Sequence, residues 1–318
     1  MNKIRWGILS TGRIAHQFAQ DFPYVPNGEL VAVGSRTEAS AAAFAEKYQL
    51  PRAHGSYQAL LEDPEVDAVY IATPHTLHYQ NTLDAFEAGK AVLCEKPFTT
   101  TPDECRSLIQ QAQATGCYVM EAMWTYFLPA VLKAQEWVAQ GRIGAIKHIK
   151  ADFGYPLPYD PQRREYHADL AGGSLLEMGI YPVALAWLFM RADPHGLEVI
   201  ARRAPNGVED DVVMLFNYPD AVATLATSFR CKLRNWAYVI GEDGYIAIPD
   251  FWRANQCALY RLDERIDHYQ DHRRSLGFNY ETVAVSDDLL HQKPQSDVVT
   301  WADSLKFQEH MARVRAQF

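Results

Sequence analysis

The sequence predicts an α/β protein: a doubly wound parallel sheet first, then an α+β region with a largely antiparallel sheet. Two observations carry that expectation. Over roughly residues 1–123, short apolar runs alternate with helical patterns in the rhythm of a parallel sheet. From residue 145 the rhythm changes to long strands joined by tight turns, among them Tyr218-Pro219-Asp220 and Glu242-Asp243-Gly244, as in consecutive hairpins. The expected division is residues 1–123 and 124–318, with the last helix packing back on the first part.

At 318 residues the chain has room for two domains or one large one. Hydrophobic residues at 48% and charged residues at 22% make a soluble globular composition. A formal charge of −9, a pI near 5.7 and the lack of any basic stripe argue against nucleic acid as a partner. Five cysteines (94, 105, 117, 231 and 257) contain no CxxC pair and are odd in number, which suggests neither a disulfide framework nor a zinc site. The N-terminal seven residues run straight into a strand and leave no room for a signal peptide. The most apolar helical stretch, Tyr181 to Met190, is too short to cross a bilayer. A reduced, cytoplasmic protein with no membrane partner is expected.

The first apolar run, Ile4 to Leu9, stops at Ser10-Thr11-Gly12-Arg13-Ile14-Ala15 and passes into a helical pattern through Phe18 and Phe22. Strand, tight turn and helix is the context of a dinucleotide-binding turn. In the fingerprint G-x-G-x-x-G/A, Gly12 lets the backbone approach a pyrophosphate and Ala15 lets the helix pack closely on the strand. Ser10 occupies the first glycine position, so the match is incomplete; serine can occupy a turn without needing positive φ at every position. Glu29 to Gly34 reads as the next strand, ending in Ser35-Arg36-Thr37. An NAD-type site carries Asp or Glu at this point to bind the ribose 2′-hydroxyl. Two hydroxyls and a guanidinium suit a 2′-phosphate instead, which favours NADP over NAD. Ser35 or Thr37 capping the helix from Ala39 to Tyr48 is a second reading, and both can hold.

Ser56-Tyr57 to Leu61 is a short helix. Ala68 to Ala72 is a strand ending in Thr73-Pro74-His75-Thr76-Leu77-His78, and His78 opens a helix that Gly89 stops. His75 and His78 lie beside a proline turn with no third ligand, so they read, with Thr73 and Pro74, as loop residues near a cofactor, and no metal is expected. The apolar run from Ala91 ends in Cys94-Glu95-Lys96-Pro97. In an open α/β sheet ligands lie outside the carboxyl ends of the strands, which aims Lys96 into the crevice. Pro97 restricts Lys96 to extended backbone. The competing reading is that Glu95 and Lys96 simply enter solvent. A helix from Thr101-Pro102 through Ala114 and a fifth strand, Cys117 to Met120, complete the first part.

Past residue 145, Ile146 to Phe153 is a strand, Glu165 to Asp169 a polar aromatic loop, and Gly172-Gly173 opens a helix from Ser174 to Met190. Strands follow at Asp211 to Tyr218, Ala221 to Arg230, Trp236 to Gly241, Gly244 to Pro249 and Ala258 to Leu262. Helices close the chain at Tyr280 to Leu290 and Trp301 to Gln317.

With the strand-turn-helix, Glu95-Lys96-Pro97 and Gly172-Gly173-Ser174-Leu-Leu-Glu177-Met-Gly179-Ile-Tyr181 in one order, the sequence resembles the glucose–fructose oxidoreductase, inositol dehydrogenase and MocA family. The likeness runs across nearly the whole chain. Within that family Leu93 to Pro97, Met120-Glu-Ala-Met-Trp-Thr125 and Gly179-Ile-Tyr181 are most similar to the dimeric dihydrodiol dehydrogenases and NADP-dependent D-xylose dehydrogenases. Many members carry His where this chain has Tyr181. The resemblance implies a Rossmann domain followed by a large, open, mostly antiparallel sheet that serves as a homodimer face. It also implies that Lys96 stands beside the nicotinamide and that Tyr181 is the acid/base.

Hydride transfer from an alcohol to NADP⁺ needs a base for the hydroxyl proton. A tyrosine with a pKa near ~10 is too weak a base at neutral pH. A neighbouring ammonium and the positive nicotinamide stabilise the phenolate, so Lys96 and Tyr181 make chemical sense as a catalytic pair. Packing is the alternative for Tyr181, because the other residues of its helix are core-like. Glu177 lies four residues earlier on the same helical face, where it holds a substrate hydroxyl, bonds Tyr181 or faces solvent. The residues expected at the cofactor are those of the first turn (Ser10 to Ile14), Ser35, Arg36, the loop from Thr73 to His75, His78, Glu95, Lys96 and Trp124. On the substrate side the candidates are Trp124, Phe153, Tyr166, His167, Glu177 and Tyr181, with core packing as the alternative for the aromatic ones. An aromatic pocket suits a sugar ring or a cyclic diol. The leading expectation is an NADP-dependent dehydrogenase of an aldose or a trans-dihydrodiol. Its rivals are a nucleotide-retaining sugar oxidoreductase and a non-catalytic nucleotide sensor, which has no need of the Lys96–Tyr181 pair.

Overall fold

A computed structural model describes residues 3–318; Met1 and Asn2, which the sequence reading included in its first domain, lie outside the described residues. In chain order the first elements are β1 (Ile4–Leu9), α1 (Arg13–Asp21), β2 (Gly28–Gly34), α2 (Glu38–Tyr48), β3 (Arg52–His54), α3 (Tyr57–Leu61), β4 (Ala68–Ile71), α4 (His78–Glu87), β5 (Ala91–Glu95), α5 (Pro102–Thr115) and β6 (Val119–Ala122). After α6 (Pro129–Ala139) and β7 (Ile146–Gly154), a π-helical turn at Leu175–Gly179 runs into α7 (Ile180–Met190). Seven strands follow: β8 (Gly196–Arg203), β9 (Glu209–Asn217), β10 (Val222–Ser228), β11 (Ala237–Gly241), β12 (Tyr245–Ile248), β13 (Gln256–Arg261) and β14 (Glu264–Gln270). Then come α8 (Phe278–Leu290) and α9 (Trp301–Arg315). Two compact units result, one through Trp124 with Arg273–Leu305, the other Thr125–His272 with Lys306–Phe318.

The first unit is a six-stranded sheet in the order β3-β2-β1-β4-β5-β6, and all five pairings are parallel. β4 and β6 bury every residue, β5 all but its first and β1 its last four, as strands covered on both faces do. Leu9, Val69, Ile71, Val92, Cys94 and Val119 share one apolar cluster. Each large apolar side chain fully removed from water there contributes about 1.5–3 kcal/mol. The helices start where short polar side chains take orphan N–H groups: Thr37 accepts from Ser40 N (3.3 Å), Ser56 from Ala59 N (3.1 Å) and Thr101 from Glu104 N (3.2 Å). α8 belongs to this unit. The buried Asp21 carboxylate, at the end of α1, accepts from Leu276 N, Gly277 N and Phe278 N at 2.7–2.8 Å, which caps α8, and Trp6 Nε1 donates to Ser286 Oγ at 3.0 Å.

The second unit is an eight-stranded sheet, β14-β13-β12-β11-β7-β10-β9-β8. Every pairing is antiparallel except β7 with β10. β9 alternates buried and exposed side chains along most of its length, the signature of a sheet with one covered face.

Several expectations need correction. β3, β8 and β14 are additional strands, so the strand at Val119 is the sixth of its sheet, starting two residues later than expected; α6 is an additional helix. β3, β8 and β14 are edge strands: β3 is only three residues long, β14 is mostly charged and polar, and β8 mixes Glu198, Arg202 and Arg203 with its apolar residues. The helix after Gly173 begins with a π-helical turn rather than regular α-helix. Ser10 has φ +116°, so it does adopt the conformation that favours glycine. The helical run Ala168–Met190, at 23 residues, is long and apolar enough to cross a membrane by length and composition, but 83% of its most apolar window is buried inside the protein, as in a core helix.

Candidate active site

In the first unit the predicted cofactor residues gather at the carboxyl ends of β1, β2, β4 and β5. Ser10 N donates to Gly34 O (2.9 Å), and Gly12 N donates to Ser10 Oγ (3.1 Å), so the serine side chain ties the turn that its strained backbone makes. α1 begins at Gly12 with no side chain capping it, and its positive end faces the turn, an arrangement that suits a pyrophosphate. Arg13 is exposed and Ile14 half-buried just after it. At the end of β2, Thr11 Oγ1 and Ser35 Oγ lie 3.3 Å apart, and Arg36 next to them is exposed. Thr37 caps α2, so the capping reading of that residue holds while Ser35 remains at the turn.

The loop after β4 and the turn after β5 are tied together. His78 is fully buried, with Nε2 2.8 Å from Thr73 O and Nδ1 2.8 Å from Pro97 O. Its ring meets that of His75 edge to face, and Thr73 Oγ1 donates to Asn81 Oδ1 (2.9 Å). At β5, Tyr70 OH donates to one Glu95 oxygen, and the other accepts from Lys96 N (3.1 Å). Lys96 is half-buried, and the Lys96–Pro97 bond is cis. Trp124 stacks on Phe278 of α8, with centroids 4.4 Å apart. Beneath these lies Glu281, fully buried, neither of whose carboxyl oxygens forms a hydrogen bond among the described residues. Burial first, and then the charges of Glu95 and Asp21, hold this carboxyl well above the usual range.

The second unit gathers a different set. Gly172 and Gly173 are required at the start of the helical run. A Cβ on Gly172 would meet the backbone of Glu165 at 2.7 Å, and one on Gly173 (φ +130°) would meet the Glu209 carboxylate at 2.1 Å. That close approach seats the loop at residues 164–167 beside the π-helical turn, where Arg164 Nη2 donates to Glu177 Oε2 at 2.8 Å. Glu177 is therefore ion-paired rather than on a solvated face. Tyr181, 7% exposed on the first turn of α7, sits edge-on to Phe153 (5.5 Å) and beside Trp252 (6.1 Å); Phe153 and Trp252 stack at 4.7 Å. Tyr166 stands elsewhere: its hydroxyl donates to Leu157 O (2.8 Å) and its ring packs on Tyr159 and Phe229. His167 Nδ1 is buried with no hydrogen-bond partner among the described residues. Tyr126 is core: its hydroxyl donates to Ala184 O at 2.6 Å.

Sequence reasoning missed Arg164, Trp252, Phe278 and Glu281. Arg164 lies thirteen residues from Glu177, too far for a helical pairing rule, and the others reach their places only through the tertiary fold.

A parallel nucleotide-binding sheet with a lysine at its carboxyl edge defines the class, a Rossmann-type oxidoreductase. Residues 4–123 match the family described as "Oxidoreductase family, NAD-binding Rossmann fold", and residues 131–247 match the "GFO/IDH/MocA C-terminal domain". The chain belongs to this Gfo/Idh/MocA family. It is 38% identical to trans-1,2-dihydrobenzene-1,2-diol dehydrogenase of Mus musculus over 260 residues, 80% of this chain and 78% of that one. It is 32% identical to the enzyme of the same name from Sus scrofa over 323 residues, 98% of this chain and 96% of that one. Among solved structures, a 3-ketoreductase from Actinomadura kijaniata in complex with NADP is 27% identical, with a TM-score of 0.86 covering 99% of this chain and 98% of that one.

Proposed function

We propose that the protein is an NADP-dependent dehydrogenase that moves a hydride between the nicotinamide and a sugar or cyclic diol. Residues 1–123, with Arg273–Leu305 in the same compact unit, form its NADP-binding domain, and the remainder of residues 124–318 binds substrate and dimerises. The observation that carries the cofactor reading is the end of β2, where the Thr11–Ser35 hydroxyl pair and Arg36 stand in place of a carboxylate. NADP⁺, when bound, supplies the hydride acceptor. Tyr181 takes the proton from the substrate hydroxyl, and Lys96 lowers the tyrosine pKa and orients that hydroxyl. Phe153 and Trp252 offer flat apolar faces to a ring-shaped substrate, with the Arg164–Glu177 pair as a polar anchor. The names of the relatives support a diol, and an aldose fits the same chemistry. A homodimer is supported by the open face of the second sheet, which exposes the neighbours Ile200 and Val213, and Leu215, beside a half-buried, stacked Tyr245–Tyr260 pair.

Initial rates of NADP⁺ and NAD⁺ reduction over a panel of pentoses, hexoses and cyclic trans-diols test the proposal. Turnover with one sugar or diol, preferring NADP⁺, is the expected result. In Arg36→Ala that preference should fall by about 10-fold or more, the loss of a charge-assisted phosphate contact. No turnover alongside tight NADPH binding would replace this reading with the sensor or the nucleotide-retaining enzyme.

A further inference from the structure

The loop before the π-helical turn carries two buried polar atoms that the fold leaves unmatched. Arg164 is half-buried, and its guanidinium is only partly engaged. Nη2 donates to Glu177 Oε2 at 2.8 Å, while Nη1 is buried with no hydrogen-bond partner among the described residues. Three residues on, His167 Nδ1 is in the same condition. A buried donor without an acceptor is costly, more so on a charged group, and native proteins leave few. The loop is also held in place. Gly173 N donates to Glu165 O (2.9 Å) and Gly172 N to His167 O (3.0 Å), which pins it to the opening of the helical run. Glu177 lies one turn further along, its N–H donating to Gly173 O (3.2 Å), and Tyr181 follows on the next turn.

We infer that Arg164 is a specificity-determining residue: its Nη1–H binds the hydroxyl on the carbon next to the one oxidised, so the substrate is a neutral vicinal diol. The inference rests on the reading of Tyr181 as the group that takes the substrate proton. A guanidinium only donates, so its partner is an oxygen acceptor. Charge selects which oxygen. Besides Glu177, the Glu165 carboxylate lies 3.9 Å from Nη2, so two carboxylates face one guanidinium and a third anion is repelled. That disfavours a carboxylate or phosphate on the substrate. A hydroxyl accepts from Nη1 without adding charge. The stacked faces of Phe153 and Trp252 cannot make this selection, since they hold a mono-alcohol of the same ring as well as a diol. A site built to hydrogen-bond a hydroxyl discriminates against the analogue that lacks it, because the buried donor is then stranded.

The test is ligand binding, read by saturation-transfer difference NMR with NADPH present, for trans-1,2-cyclohexanediol, cyclohexanol and trans-2-hydroxycyclohexanecarboxylate. The wild type should bind the diol about 10-fold or more tightly than cyclohexanol, and the carboxylate more weakly than the diol. Arg164→Lys keeps a cation for Glu177 and loses the planar fork that serves two acceptors. In that variant the advantage of the diol should fall to about 2-fold or less, with cyclohexanol affinity unchanged. A merely structural role would weaken both ligands together. Arg164→Met combined with Glu177→Gln, a neutral pair, predicts the same fall and serves if the lysine variant does not fold. The inference is overturned by a wild type without preference for the diol, by an advantage that survives in Arg164→Lys, by equal weakening of both ligands, or by tighter wild-type binding of the carboxylate than of the diol. Binding is read without turnover, so a failed dehydrogenase reading shows as no NADP⁺ reduction by any diol while the preference stands. Turnover of diols with a preference indifferent to Arg164 sinks this inference alone.

Discussion

The two units hold their candidate residues by opposite means. Around Lys96 the contacts are directed hydrogen bonds, from Glu95, Tyr70, His78 and Glu121. Around Tyr181 they are ring faces and edges, from Phe153 and Trp252. A hydrogen bond fixes a distance and an angle, and removing one partner strands the other in a dry interior. Ring packing fixes a shape and yields gradually to replacements of similar volume. The first arrangement suits an amine that must keep one bearing. The second suits a surface against which different flat rings can lie.

The largest test of that contrast is at the functional ends. Lys96→Met and Tyr181→Phe should each lower kcat by about 10²–10⁴-fold while NADPH affinity, read by fluorescence titration, stays nearly constant. Full turnover in either variant would remove that residue from the chemistry. A smaller test compares scaffolds. Asp21→Ala strips the acceptor from three backbone N–H groups at the head of α8 and should cost about 3 kcal/mol in urea unfolding. Phe153→Leu should cost about 1 kcal/mol, with its main effect on substrate KM. Equal losses would erase the distinction between the units.

The smallest effect is a slope. Glu281 has its folded-state pKa raised above the ordinary 4.5, so between those values the native protein holds a proton that the unfolded chain has released. Its contribution is then a stability that falls as pH rises, by at most about 1.4 kcal/mol per pH unit. Glu281→Met removes the carboxyl with little change of volume. The stability gap between variant and wild type should widen from pH 5 to pH 7, and a constant gap would show that Glu281 keeps an ordinary pKa.

What the sequence made legible follows the same physics. Strands buried on both faces, such as β4 and β5, read as continuous apolar runs. The edge strands β3 and β14 were invisible because one is three residues long and the other is kept polar, as edges are to discourage pairing with other chains. Ser10 misled because serine's rarity at positive φ is a tendency, and here its own hydroxyl secures the turn by accepting from Gly12 N. A solvated face stood among the readings of Glu177 because Arg164 reaches it only through the Gly172–Gly173 approach. Glu121 sat within a motif that was recognised, yet its partner, Phe98 N, becomes its neighbour only through the pairing of β5 with β6.

The placement of α8 has a consequence for how the protein is made. The first unit includes Arg273–Leu305, and its Asp21 and Trp6 find their partners at residues 276–278 and at Ser286. The parallel sheet leaves the ribosome early, but its last helix follows only after residues 125–272 have been translated, a delay on the order of ten seconds. Through that interval Trp6 and Asp21 wait for partners, so a nascent chain stalled before residue 273 would carry a nucleotide-binding sheet without the helix that completes it.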